Sequence, residues 1–222
     1  MQYVTISIPF RQSKAQQYII GGTAKRLFDF LISSLMFVVL LPLILIVAAL
    51  VKVADHGPII YRNTRVGFDG RRFQCLKFRS MVANSDEILK SLLDSNPEVS
   101  QEWERKQKLT KDPRITPVGK FLRRSSLDEL PQLVNVMRGE MSLVGPRPVV
   151  PSEARRYGDK LGLYLRARPG MTGIWQVSGR SNCDYLERIE MDAEYVRNWR
   201  FSRDFAILLR TPAAVLARRG SS

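Results

Sequence analysis

The stretch Phe30–Val51, FLISSLMFVVLLPLILIVAALV, has 22 residues and no charged side chain. As a straight helix it would extend for roughly 33 Å, enough to cross the roughly 30 Å hydrocarbon core of a bilayer. Lys25 and Arg26 precede it, and Lys52 follows it. It is too long and too far along the chain for a cleaved signal peptide, so we expect it to be retained as a membrane segment.

The apolar segment carries a proline near its centre, Pro42. A proline inside a helix removes one backbone hydrogen bond and clashes with the preceding turn, so a kink is expected there. Basic residues flank both ends of the segment, and the positive-inside rule therefore gives no clear orientation. From the residues alone two arrangements remain open: a kinked helix that spans the membrane, and a re-entrant helix-break-helix whose two ends face the cytoplasm.

The composition limits the kinds of fold, partner and metal site that the chain can have. Its 222 residues, 45% hydrophobic and 25% charged, suit one domain with a buried core. The net charge of +14 fits three partners, namely nucleic acid, an anionic membrane surface or a polyanionic substrate such as a nucleotide diphosphate. A single histidine excludes a multi-histidine metal site, and two distant cysteines, Cys75 and Cys183, indicate a reducing cytoplasmic setting without a disulfide framework.

The part after the membrane segment is predicted to be mainly helical α+β. Residues 58–62 and 73–78 favour strands, and Asp69-Gly70 between them is a hairpin signal. Apolar residues at helical spacing predict helices over 85–108, with a break at Asn96-Pro97, and over 184–199. The apolar tail 205–219 fits either an amphipathic helix in the headgroup plane or a helix packed on the domain.

The candidate chemistry lies in residues 123–132, RRSSLDELPQ. The paired arginines Arg123 and Arg124 can bind phosphate, and the adjacent carboxylates of Asp128 and Glu129 can divide the roles of nucleophile and metal ligand. The same residues also fit a capping box of Ser126 and Glu129, a purely structural role. If a helix instead begins near Pro131, both carboxylates lie just outside its N-terminus.

Two glycine-rich loops also contain arginines. One is Gly145-Pro146-Arg147-Pro148, and the other runs from Arg168 through Gln176 to Arg180. Such loops can present backbone N–H groups and guanidinium groups to a pyrophosphate. Gly-Pro turns are also common as ordinary loop structure, so each loop alone indicates little, and their combination carries the prediction.

With these segments in view, the sequence resembles the bacterial sugar transferases, small monotopic phosphoglycosyl transferases that act on polyprenol phosphate. It is most similar to the short enzymes that begin exopolysaccharide repeat units. The matching segments follow the order of that family over roughly residues 24–219: KRxxD (25–29), Pro42, KFRSM (77–81), SLDELPQ (126–132), GEMSLVGPRP (139–148) and RPGMTGxxQVxGR (168–180).

For the fold, the resemblance implies a re-entrant membrane helix broken at Pro42 and a catalytic domain on the cytoplasmic face of the bacterial inner membrane. The implied division is a flexible N-terminal extension (1–23), a re-entrant membrane helix (24–54) and a cytoplasmic catalytic domain (55–222). The catalytic domain is expected to contain a small β-hairpin and membrane-surface amphipathic helices.

For the chemistry, the resemblance implies that Asp128 attacks the sugar-bearing phosphate of UDP-galactose or UDP-glucose and releases UMP. Undecaprenyl phosphate would then accept the sugar phosphate, and Asp128 and Glu129 would hold Mg²⁺. The residues implied in phosphate or substrate binding are Arg123, Lys77, Arg79, Arg147, Arg168, Gln176 and Arg180.

The competing interpretation is a non-enzymatic, membrane-anchored basic protein that binds nucleic acid or anionic lipid. The sequence has no RNP-like aromatic motif, zinc knuckle or helix-turn-helix, so no nucleic-acid partner is expected. A catalytically silent relative of the sugar transferases is a third interpretation, and the presence of both Asp128 and Glu129 disfavours it.

Overall fold

The structure is a computed structural model that describes residues 19–106, 109–178 and 184–217. Its helices are α1 Gly22–Asp55, α2 Ser85–Ser95, α3 Pro97–Lys106, α4 Pro117–Ser125, α5 Gln132–Arg138, α6 Pro151–Ala154, α7 Leu161–Tyr164, α8 Ile174–Val177, α9 Tyr185–Arg197 and α10 Phe201–Ala217. Its strands are β1 Ile60–Val66, β2 Arg72–Phe78, β3 Ser142–Val144 and β4 Gly170–Thr172. The prediction of a mainly helical α+β fold with a small hairpin is confirmed.

The hairpin of β1 and β2 forms where the sequence predicts it. The strands pair antiparallel from Ile60 opposite Phe78 to Val66 opposite Arg72. Asp69 and Gly70 in the connection have φ of 57° and 73°, the left-handed conformation that Asp-Gly turns adopt readily. The hairpin therefore places the end of β2, and with it Lys77, against the interior of the domain.

Among the described residues, α1 is the one helix long and apolar enough to cross a membrane. It is one continuous helix of 34 residues that runs through Pro42, so the expected interruption of the helix at Pro42 is not seen. Large apolar side chains that are exposed to the outside line much of its length: Leu31, Leu35, Val38, Val39, Leu45, Ile46 and Val53. A soluble helix buries such a stripe, so these side chains support the predicted membrane segment.

Both halves of α1 also contact the rest of the domain. In the first half, Phe28, Ile32 and Phe37 pack against the main apolar core. In the second half, Val47 and Val51 are buried in a cluster with Phe78 of β2 and Leu122 of α4. The rest of the domain is thus attached to the apolar helix on both sides of Pro42.

A buried polar network fixes the start of α1. The Lys25 ammonium lies 2.5 Å from a carboxylate oxygen of Asp204 in α10. The Tyr195 hydroxyl and the Trp199 indole N–H donate to the same carboxylate at 2.7 and 3.1 Å. Since Asp204 is fully buried, its charge is stabilised by these partners, and they tie α1 to α9 and α10.

The glycine-rich loops form a short parallel strand pair, β3 with β4. Gly145 N–H donates to the Thr172 carbonyl at 3.0 Å, and Gly170 N–H donates to the Pro146 carbonyl at 2.8 Å. A Cβ added at Gly170 would overlap the backbone nitrogen of Gly145. These glycines therefore allow close backbone packing, and the amides of Gly145 and Gly170 are used within the fold.

The tail forms helix α10, which packs on the domain, as one of the two interpretations predicted. Its Asp204 and Ile207 are buried against the domain. Its opposite face exposes Phe205, Leu209 and Leu216, the last two about four-fifths exposed (80% and 77%). One face of α10 thus packs on the domain while the other presents apolar side chains outward.

Candidate active site

The site begins with the turn between α4 and α5. Ser126 ends α4 in the left-handed conformation (φ 56°), and its N–H bonds to the carbonyls at the end of that helix. The capping-box interpretation is wrong: Ser126 also directly precedes the turn Leu127–Glu129, but its side chain makes no capping hydrogen bond there. α5 starts at Gln132, directly after Pro131, as the alternative predicted. A single helical turn, Leu127–Glu129, presents the two carboxylates between the helices.

Lys77 from β2 lies beside both carboxylates. Its Nζ is 2.7 Å from Glu129 Oε1 and 3.8 Å from Asp128 Oδ2. The Asp128 residue is buried (8% exposed), whereas the Glu129 side chain is about one-third exposed (33%). The strand and the turn thus bring together residues that are about fifty positions apart in the sequence.

The two carboxylates differ in their electrostatic surroundings. Burial raises the pKa of Asp128 to about 6, and the neighbouring Glu129 adds to this, while Lys77 and Arg123 act in the opposite direction. Burial alone would lower the pKa of Lys77, but Glu129 and Asp128 outweigh it and raise the pKa. Lys77 is therefore a cation at neutral pH next to a carboxylate whose ionised form is destabilised by burial.

Arg123 completes the group from the last turn of α4. Its Nε donates to the Ser80 hydroxyl at 2.8 Å. Burial lowers the pKa of this arginine, and attraction to the Asp128 and Asp112 carboxylates opposes that change. Asp112 itself is held by two hydrogen bonds from the Arg114 guanidinium, at 2.8 and 2.7 Å.

The remaining predicted site residues have other contacts. Arg79 pairs with Asp55 at the end of α1, with Nη2 3.2 Å from the carboxylate. Arg168 donates to the Gly139 carbonyl at 2.8 Å, beyond the C-terminal end of α5, whereas Asp128 and Glu129 precede its N-terminal end. The Arg147 guanidinium lies over the Trp175 ring, and the Gln176 side chain donates to the Met171 carbonyl. Arg180 lies outside the described residues.

Ser80 was not among the predicted site residues, although its hydroxyl contacts Arg123. Its position within the KFRSM segment was the one signal in the sequence. The hydrogen bond joins residues 43 positions apart, so no local pattern could have indicated it.

The residues present fit a magnesium ion of the kind that binds together with a substrate. Among the described residues there is no group of three or more metal-ligating side chains. Mg²⁺ commonly uses one or two carboxylates and takes its remaining ligands from substrate phosphates and water. Asp128 and Glu129 supply two adjacent carboxylates, and the Glu129 side chain is partly open to solvent.

The fold and the site together define a class of protein. Such a protein has a candidate membrane helix and a buried carboxylate, Asp128, whose charge interacts with a lysine and an arginine. The family model for the bacterial sugar transferases matches residues 20–218. The chain belongs to the bacterial sugar transferase family.

Individual relatives agree with this assignment. The chain is 50% identical over 202 residues to the exopolysaccharide production protein ExoY of Sinorhizobium fredii, covering 91% of this chain and 89% of the relative. It is 52% identical over 197 residues to the undecaprenyl-phosphate galactose phosphotransferase of Salmonella typhimurium, covering 89% and 41%. It is 38% identical over 200 residues to the UDP-glucose:undecaprenyl-phosphate glucose-1-phosphate transferase of Caulobacter vibrioides, covering 86% and 69%.

Proposed function

We propose that this protein transfers a sugar 1-phosphate, galactose or glucose, from a UDP-sugar to undecaprenyl phosphate. The products are undecaprenyl-diphospho-sugar and UMP, and the reaction is the first membrane step of exopolysaccharide synthesis. The names of the relatives support the substrates. The observation that carries the proposal is the buried carboxylate of Asp128 with Lys77 and Arg123 around it, on a domain attached to an apolar helix.

The proposed reaction has two displacement steps. An Asp128 carboxylate oxygen attacks the sugar-bearing phosphorus of the UDP-sugar, the bond from that phosphorus to the bridging oxygen breaks, and UMP leaves with the bonding electrons. An oxygen of undecaprenyl phosphate then attacks the same phosphorus, and Asp128 leaves as a carboxylate. A covalent intermediate of this kind gives ping-pong kinetics.

The surrounding residues have distinct roles in this proposal. Lys77 and Arg123 offset the negative charge that develops on the phosphate oxygens. Glu129, with Asp128, would hold Mg²⁺, which when bound neutralises phosphate charge. Because Lys77 already contacts Glu129 at 2.7 Å, it also keeps this carboxylate in place.

The position at the membrane follows from the substrates. A lipid phosphate and a water-soluble nucleotide meet at the headgroup plane, where a domain attached to an apolar helix can bind both. We propose that α1 is re-entrant and that the domain lies on the cytoplasmic face of the inner membrane. The support is that residues on both sides of Pro42 pack on the same domain.

The experiment that tests the proposal measures UMP release from UDP-galactose, UDP-glucose and their N-acetylated forms, with undecaprenyl phosphate and Mg²⁺. Asp128→Asn removes the nucleophile and is expected to reduce turnover at least a thousandfold, a loss of roughly 4 kcal/mol of transition-state stabilisation. Asp159→Asn, at an exposed position in the short helical segment Arg155–Lys160, is the matched control and should retain wild-type turnover. Normal turnover by Asp128→Asn would refute the nucleophile assignment.

The covalent intermediate has a separate test. Incubation with UDP-sugar in the absence of undecaprenyl phosphate should release one UMP per protein and leave a phosphosugar on the peptide that contains Asp128, detectable by mass spectrometry. UMP release that requires the lipid acceptor in every turnover, with no labelled peptide, would indicate direct transfer between the two substrates.

A further inference from the structure

Ser80 connects the strand that carries Lys77 to the helix that carries Arg123. It lies two residues beyond the end of β2 and is 9% exposed. Its carbonyl oxygen accepts from the Thr116 N–H at the start of α4, at 3.1 Å. Its hydroxyl accepts from Arg123 Nε at the other end of α4, at 2.8 Å. Both ends of α4 are thus bonded to the same residue.

The backbone of Ser80 is held in place by close packing against α4. Gly119 lies in the first turn of that helix, and a Cβ added there would overlap the Ser80 carbonyl oxygen. The Gly119 N–H donates to the Thr116 hydroxyl, which caps the helix, at 2.9 Å. The backbone of Ser80, from which the hydroxyl reaches Arg123, is therefore held by the fold itself.

This contact constrains the Arg123 guanidinium, which has five N–H donors in one plane. Ser80 occupies the donor on Nε. In the described parts of the chain, no protein group accepts a hydrogen bond from its Nη1 or Nη2 atoms. The negative charge of Asp128 attracts the Arg123 guanidinium electrostatically, and the four remaining N–H donors of that guanidinium are available to an anion.

We propose that Ser80 is a positioning residue for the transfer reaction: its hydroxyl orients Arg123 so that Nη1 and Nη2 hold a phosphate oxygen of the nucleotide sugar beside Asp128. The inference rests on the proposed function and adds to it a residue that acts through Arg123. Without the hydroxyl, the guanidinium would rotate about its side-chain bonds and lose the fixed geometry that makes arginine a selective phosphate ligand.

The test is a double-mutant cycle between Ser80→Ala and Arg123→Ala, measured on the full chain in detergent or nanodiscs. Ser80→Ala should lower kcat/KM for UMP release about tenfold, which corresponds to about 1.4 kcal/mol. In the Arg123→Ala background, Ser80→Ala should have no further effect, because the two residues act as one unit. Ser80→Thr keeps the hydroxyl and should recover most of the activity.

The matched control is Ser142→Ala, which removes another buried serine hydroxyl, bonded to the Val144 carbonyl. Its effect on kcat/KM should be the same with and without Arg123. If Ser80→Ala behaves in the same way, or leaves kcat/KM unchanged in the wild-type background, the positioning role is refuted and the proposed function stands.

A second measurement separates the two proposals. Inorganic pyrophosphate is titrated against each variant by calorimetry, which needs no turnover. Ser80→Ala should weaken pyrophosphate binding about tenfold in the wild-type background and not in Arg123→Ala. If the wild-type chain releases no UMP from any UDP-sugar, the proposed function fails, while this titration still decides the positioning role: an unchanged affinity refutes it, and the coupled loss supports it.

Discussion

Asp128 combines low exposure with proximity to Lys77. Burial raises its pKa to about 6, against 3.8 for a free aspartate. As the proposed nucleophile it must be ionised, so kcat/KM is expected to rise with pH through about 6. The same burial that excludes water from the reacting carboxylate therefore destabilises its charged form in the folded protein.

The unfavourable burial of the ionised Asp128 carboxylate also predicts how the stability of the folded protein depends on pH. Because the folded-state pKa lies above the unfolded value, the native state binds the proton more tightly, and stability falls as pH rises from about 4 to 6. Asparagine carries no charge. Asp128→Asn should therefore unfold at a higher temperature than wild type at pH 8, with a gain of up to about 3 kcal/mol, and the difference should vanish near pH 3.5.

Thermal unfolding at both pH values checks this prediction. Asp159→Asn, at an exposed position, should show no pH-dependent difference from wild type. A gain of equal size at pH 3.5 and pH 8 would show that the titration of Asp128 is not its cause.

At the residue scale, local sequence predicted part of the site. Arg123, Asp128 and Glu129 lie within seven residues, so their chemistry could be read from one segment. Lys77 entered only through the family resemblance, because β2 pairing and the position of α5 decide that it reaches Glu129. Ser80 was missed for the same reason, since its partner is a side chain on a separate element.

Among the elements, α4 shows how one glycine sets the geometry of the site. The helix approaches Ser80 so closely that a Cβ on Gly119 would overlap the Ser80 carbonyl oxygen. Backbone atoms on both sides leave little room for adjustment. Gly119→Ala should therefore destabilise the protein by about 1–3 kcal/mol through overpacking, and the melting temperature measures it.

Gly162 provides the matched control for this prediction. It lies in helix α7, and a Cβ added there would meet no atom within 4 Å. Gly162→Ala should leave stability unchanged or raise it by up to about 1 kcal/mol, because alanine has the higher helix propensity. If the two substitutions lower the melting temperature equally, close packing of α4 on Ser80 is not what Gly119 provides.

Apolar periodicity predicted the elements that bury one face, and strong turn signals predicted where elements end. The hairpin, the helices on either side of Asn96-Pro97 and helix α9 all follow from such patterns. The strands β3 and β4 have three residues each, too few for a period to be visible. In the sequence, their glycines are equally typical of ligand-binding loops. The structure shows that the amides of Gly145 and Gly170 donate to backbone carbonyls instead.

In the whole molecule, the apolar helix and the domain form one packed unit. The start of α1 is bonded through Lys25 to Asp204, and its second half is buried through Val47 and Val51. A straight helix of 34 residues would be about 51 Å long. If it crossed the bilayer, its two ends would face opposite compartments, and a domain on one side could not pack on both halves at once.

This packing predicts that the two ends of α1 lie on the same side of the membrane, which we propose is the cytoplasmic side. Thr23 and Val53 are exposed near these ends. Cysteines introduced there one at a time, in a chain with Cys75 and Cys183 replaced by alanine, should not react with a membrane-impermeant maleimide added to intact cells with a permeabilised outer membrane. Both should react after lysis, and a periplasmic loop of a known inner-membrane protein serves as the positive control. Labelling of Thr23→Cys in intact cells, with Val53→Cys protected, would establish a spanning helix, and the contacts of its first half with the domain would then have to break in the membrane.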